Sequence, residues 1–169
     1  MNPTIKAALA AALVLGLTAG AQAQSTKARD SRVKRGEYLA TIMDCRGCHT
    51  PGVFLGKPDA SRAFAGSEVG FQIPGLGVFF PPNLTPDKAT GLGNWSEKEI
   101  VAAIRTGVRP DGRVLAPAMP YKHYGALTDA DAFALAAYLK SLPPVVNQVP
   151  PMTGASKKPS GPYLTVAMP

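Results

Sequence analysis

Apolar residues recur at helical spacing in three stretches of the chain. In the first, Val33, Gly36, Ala40 and Met43 fall on one face, and Leu39 and Ile42 widen the stripe. This predicts a helix from Val33, entered from a polar, loosely held lead-in over 24–32. In the second, Ile100, Ala103 and Ile104 share a face, and Ser96-Glu97-Lys98-Glu99 spells a capping box at its start. Gly107 is placed to stop that helix after Thr106. In the third, Phe133, Ala134, Ala137, Tyr138 and Leu142 make an apolar face behind an N-cap at Thr128, and Pro143-Pro144 ends it. Small side chains at Gly36, Ala134 and Ala137 predict that the first and last helices approach closely.

Between these stretches the periodicity disappears. Residues 50–82 alternate Gly and Pro with Phe54, Phe64, Phe71, Phe79 and Phe80. An aromatic, turn-rich segment needs a surface to cover, either a small satellite core or a flat ligand. Residues 147–169 are Pro-rich without a helical period, and they read as an extended tail, flexible or strapped to the domain. The N-terminus differs again. Lys6 precedes an apolar run over 7–20, which ends in Ala21-Gln22-Ala23. That is the form of a cleavable secretory signal over 1–23, and it implies a periplasmic destination. The run is short for a membrane span, and no later stretch is apolar enough, so the mature chain is expected to be soluble or peripheral.

Composition sharpens this picture. The chain of 169 residues holds 17 Gly and 17 Pro, which fits one domain (33–146) with few long elements. The formal charge is +7; without Lys6 the balance is 17 basic against 11 acidic residues, or +6. Scattered Lys and Arg with no binding motif argue against nucleic acid and suit an acidic protein partner.

The chemistry concentrates at Cys45-Arg46-Gly47-Cys48-His49, which holds both cysteines and one of the two histidines. C-x-x-C-H is the attachment pattern of a c-type haem. Two thiols one helical turn apart can each form a thioether to the porphyrin, and the histidine directly after them is placed under the iron. Alternatives fit less well. A disulfide would close a very small loop, a thioredoxin-like pair follows a strand, and a zinc site needs more ligands than the chain groups together. For the second axial position the best placed residue is Met119, held between Pro117 and Pro120 in a segment that cannot be helical. His123 is the competitor, and an open position the further alternative. Met43 lies too near Cys45 to reach the opposite face, and Met152 and Met168 lie in the tail. Trp95, the single tryptophan, is either a core residue or an indole N–H donor to a haem propionate. Arg105 is either a solvated charge or a second propionate partner.

With these residues the sequence resembles the class I cytochrome c family over about 33–146. Within it, the haem domains of the cytochrome subunits of bacterial membrane-bound alcohol, aldehyde and gluconate dehydrogenases share Asn83-Leu84-Thr85-Pro86-Asp87, Gly91-Leu92-Gly93-Asn94-Trp95-Ser96, Ala103-Ile104-Arg105-Thr106-Gly107, Met119-Pro120-Tyr121 and Leu139-Lys140-Ser141-Leu142-Pro143-Pro144. Those subunits carry three such domains and a membrane anchor, whereas this chain has one haem motif. The resemblance implies an all-α fold with crossed N- and C-terminal helices around one covalent haem, with long Gly/Pro-rich loops. It implies single-electron transfer between redox proteins rather than catalysis, as a free carrier or as a subunit of a dehydrogenase. An open-site haem enzyme or gas binder is the remaining class.

Overall fold

A computed structural model describes residues 24–167; the proposed signal segment and Met168 lie outside them. Helix α1 occupies 24–42. The expected lead-in over 24–32 is therefore helical. Its Ala, Lys, Arg and Gln are good helix formers, and Arg32 pairs with Glu97 at 2.9 Å, which fastens the segment to the domain. Gly36, Leu39 and Ala40 are buried as predicted, but Ile42 is 60% exposed and lies off the stripe.

The first helix does not run unbroken into the motif. Residues 43–44 form a turn, and Asp44 takes a left-handed conformation (φ 52) that Asp tolerates better than most side chains. A short helix α2, Cys45–Cys48, restarts the chain in a new direction. Helix α3, Glu97–Thr106, starts at the predicted capping box: Ser96 Oγ accepts from the Glu99 amide (3.2 Å), and Glu99 Oε2 accepts from the Ser96 amide (2.7 Å). Gly107 closes it at φ 76. A single turn α4, Tyr121–Tyr124, follows the Met119 segment. Helix α5, Asp129–Ser141, begins at Thr128, whose hydroxyl accepts from the Asp131 amide at 3.1 Å.

The all-α expectation does not hold, because the aromatic loop and the tail build a small sheet. Strands β1 (Gly70–Ile73) and β2 (Gly77–Phe79) form an antiparallel hairpin with Phe71 opposite Phe79. Gly75 at φ 76 makes its turn. The tail supplies both outer strands: β3 (Thr153–Gly154) runs antiparallel to β2, and β4 (Tyr163–Leu164) runs parallel to β1. The order is β3-β2-β1-β4. The tail is thus a strap on the domain.

The core lies where α1, α3 and α5 meet. Leu39, Ile100, Ile104, Leu135 and Leu139 pack with Phe64 and Leu92 from the loops. Gly36 sits directly on the α5 backbone at Ala134. Lys140 bridges α5 to the loop ahead of α3, donating to the carbonyls of Gly93 and Trp95, both at 2.9 Å.

Candidate haem site

Helix α2 is a single turn with Cys45 at its start and Cys48 at its end, so both thiols share one edge. They are free thiols, not a disulfide. Cys45 is buried, which pushes its thiol up to about 11, with the Asp44 charge adding to the effect. Burial and then Asp44 also raise Cys48. Both side chains are therefore protonated at neutral pH.

His49 follows directly and is 6% exposed. Its backbone is held from both sides: its amide donates to the Cys45 carbonyl (3.0 Å), and its carbonyl accepts from the Gly66 amide (2.9 Å). Its Nδ1 lies 2.8 Å from the Pro82 carbonyl. A carbonyl can only accept, so Nδ1 carries the proton, which leaves the lone pair on Nε2. Burial lowers the imidazole pKa and the Pro82 bond opposes it only in part, so the ring is neutral. A neutral imidazole with a fixed Nδ1–H and a free Nε2 is the state needed to ligate a metal. The loop after the motif is fixed too: Glu68 accepts from the Gly52 amide at 3.0 and 3.2 Å.

Met119 is half-buried in a tight turn, its amide donating to Ala116 O (2.9 Å) and its carbonyl accepting from Tyr121 N (2.8 Å). The segment is tethered at two points. The Tyr121 ring lies against Gly107 at the end of α3, where a Cβ would meet it at 2.7 Å. The Tyr124 hydroxyl donates to the Met43 carbonyl at 3.2 Å, just ahead of α2. The Met119 loop is thereby tied to the chain entering the cysteine motif. His123 is exposed on α4, and Met152 is 48% exposed in the strap.

Trp95 packs against the helical core, and its indole N–H has no hydrogen-bond acceptor among the described residues. Arg105 forms an ion pair with Asp129, its side chain 31% exposed. Sequence reasoning overlooked Arg109. Its guanidinium stacks over the Trp95 ring at 5.3 Å. It pairs with Asp111, Nε 3.5 Å from Oδ1, but Nε is buried and makes no hydrogen bond, while the other oxygen of that carboxylate takes Arg113 at 2.9 Å. Burial, and then the Arg113 charge, lower its pKa. A half-buried cation whose Nε lacks a hydrogen bond, stacked on an indole, suits a further carboxylate. In the sequence only the Asp111-Gly112 turn pair marks the hairpin Arg109-Pro110-Asp111-Gly112-Arg113.

The cytochrome c family model matches residues 33–143. The chain belongs to the cytochrome c family. It is an electron-transfer family built on covalently bound haem c, and Cys45 and Cys48 stand at the attachment spacing. Among its relatives are the gluconate 2-dehydrogenase cytochrome c subunit of Pantoea cypripedii, 40% identical over 146 residues (86% of this chain, 30% of that one), and the alcohol dehydrogenase (quinone) cytochrome c subunit of Gluconobacter oxydans (strain 621H), 36% identical over 142 residues (83% and 28%). The fructose dehydrogenase cytochrome subunit of Gluconobacter japonicus is 35% identical over 131 residues (78% and 24%). The match covers 24% to 30% of the length of these relatives. No helix among its described residues is long and apolar enough to cross a membrane.

Proposed function

We propose that this cytochrome c domain is an exported, periplasmic single-electron carrier with His49 and Met119 as the axial ligands of one haem. The observation that carries the reading is the buried His49, neutral, with Nδ1 on the Pro82 carbonyl and Nε2 free, one residue beyond two thiols on a single turn. Haem c bound there supplies a one-electron ferrous/ferric couple. Cys45 and Cys48 keep the cofactor from dissociating. His49 offers a fixed nitrogen lone pair, and Met119 offers a soft sulfur on a loop pinned by Tyr121 and Tyr124, so neither ligand has to move between oxidation states. Trp95 and Arg109 would donate to a propionate: both arginines are ion-paired, but Arg109 Nε is buried without a hydrogen bond, whereas Arg105 is already hydrogen-bonded to Asp129. The close approach of α1 and α5 at Gly36 supports the crossed-helix arrangement of class I cytochromes.

The test is the optical spectrum of Met119→Ala. The ferric wild type is expected to show the weak far-red sulfur-to-iron band, and the variant to lose it and to show a lower reduction potential, since thioether ligation raises the potential. A band that persists in the variant would falsify the Met119 assignment.

Removing the Arg109 charge tests the propionate reading separately. Arg109→Gln is expected to lower the potential, because a cation near the haem disfavours the ferric state. It is also expected to move the pH-dependent part of the potential to higher pH. A propionate beside a guanidinium has a depressed pKa, and that depression is lost with the charge. A pH profile that superimposes on the wild type's sinks the assignment.

A second reading follows from the relatives' names: an electron-transfer subunit held by a dehydrogenase. It predicts co-elution of the native protein with a dehydrogenase on gel filtration, where a free carrier elutes alone.

A further inference from the structure

We propose that residues 145–149, directly after α5, clamp the proximal side of the haem site, holding the Pro82 carbonyl against His49 and so setting how strongly that imidazole donates. The proposal rests on His49 being an axial ligand.

Two loop segments grip His49. One is 64–67, whose Gly66 amide holds the His49 carbonyl; the other is 81–85, whose Pro82 carbonyl holds Nδ1. The second cannot secure itself through its own amides at Pro81 and Pro82, which have no N–H. It is laced to the first by Ser67 N to Pro81 O (3.0 Å) and Leu84 N to Phe64 O (2.8 Å). The outer side of both segments is taken by the strap.

Asn83 is the hub. It is 1% exposed, and its amide oxygen and nitrogen are both fully used. Oδ1 accepts from the Thr85 amide (2.9 Å) and the Thr85 hydroxyl (2.8 Å). Nδ2 donates to Thr90 Oγ1 (3.0 Å) and to the Val145 carbonyl (2.7 Å). The strap answers with its own donors. The Val145 amide reaches Thr85 Oγ1 (3.1 Å), the Asn147 amide reaches Thr90 Oγ1 (3.1 Å), and Asn147 Nδ2 reaches the Ala65 carbonyl (2.7 Å). Val149 lies on Gly66 so closely that a Cβ there would come within 2.4 Å of its methyl. Thus 145–149 binds Ala65 and Gly66 on one grip and Asn83 and Thr85 on the other. The residues on either side of Pro82 are held, and the direction of its carbonyl with them.

The sign of the effect separates this role from a merely structural one. An Nδ1–H donated to a carbonyl makes the imidazole more basic, favouring ferric iron. Loosening the clamp weakens that bond and raises the potential. Loosening that only admitted water would instead favour the ferric charge and lower the potential.

The experiment compares full-length holoprotein carrying Asn83→Ala or Asn147→Ala with wild type and with Gln72→Ala. Gln72→Ala removes a tail bond that involves none of the clamp residues, the 2.6 Å contact from Thr165 to Gln72. Two quantities are read: the midpoint potential, and solvent exchange of the His49 Nδ1 proton by NMR in the ferrous state. The clamp variants are expected to keep a low-spin spectrum, to show a raised potential, and to exchange Nδ1–H about five-fold faster, the factor one ordinary hydrogen bond carries. Gln72→Ala is expected to change neither. An unchanged or lowered potential, or unchanged exchange, overturns the clamp. Should Asn83→Ala fail to fold, Asn147→Ala, which loses the bond to Ala65 and a long one from Arg62 (3.5 Å), decides alone. Failure of the ligand reading is distinct, because it appears in the wild-type spectrum before any variant is made.

Discussion

The Cys45→Ser/Cys48→Ser protein is expected to lose all covalently held haem, so that no haem signal runs with the polypeptide on a denaturing gel, where the wild type stains fully. The reason is chemical. Thioether formation is the net addition of an S–H across a vinyl double bond, and a serine hydroxyl does not add under these conditions. Both thiols stay protonated at neutral pH, since burial holds Cys45 near 11 and raises Cys48. They share one edge of α2, so the two single variants are expected to retain one attachment each and to stain more weakly. Haem signal undiminished in the double variant would remove Cys45 and Cys48 from the attachment site. A second consequence concerns the fold. The buried positions of α5 include Ala132, Ala134, Ala136 and Ala137, and α1 and α3 contribute Ala40 and Ala103. Alanine burial contributes little hydrophobic free energy, at about 25 cal/mol per Å² of apolar area. A chain with so many small core residues depends on its cofactor for apolar contact, so the double variant is expected to melt well below wild type.

How much of this was legible in the sequence depended on how locally each feature is encoded. Helices α3 and α5 carry their own start and stop signals, Ser96 with Glu99, Thr128 with Asp131, Gly107 and Pro143, and each lies where those signals put it. The C-x-x-C-H motif is local as well. The beginning of α1 was missed because residues 24–32 are helix formers without an apolar stripe, and their anchor is the long-range pair of Arg32 with Glu97. The sheet was missed because its strands are two to four residues long and its outer members come from the tail, far from the β1–β2 hairpin in sequence. In the site, the cysteines and histidine were evident from spacing alone. The Pro82 bond to His49, the Asn83 hub and the stacking of Arg109 on Trp95 are juxtapositions across the chain that no periodicity encodes.

Gly36→Leu is expected to be the most destabilising single change outside the haem site. The sequence offers glycine in mid-helix, which costs about 1 kcal/mol relative to alanine. The structure explains why that cost is accepted. A Cβ at residue 36 would stand 2.0 Å from the Ala134 carbonyl oxygen, 2.6 Å from its carbon and 2.7 Å from Tyr138 Cβ. These are backbone atoms and a side-chain root in the middle of α5, so no rotamer change relieves the clash and the helices must part. Parting them also disturbs the Tyr138–Phe64 ring contact at 5.8 Å and the 2.8 Å ion pair between Arg35 and Asp131. Overpacking of this kind costs about 3 kcal/mol, against a total stability of roughly 5–15 kcal/mol. The expected drop in melting temperature is about 10 °C for a domain of this size. Gly36→Ala isolates the contact, because propensity alone predicts a gain and the clash predicts a loss. Denaturant titration of both variants, followed by the helical signal, decides between them. A rise in the midpoint for Gly36→Ala would mean that α1 and α5 do not meet at residue 36.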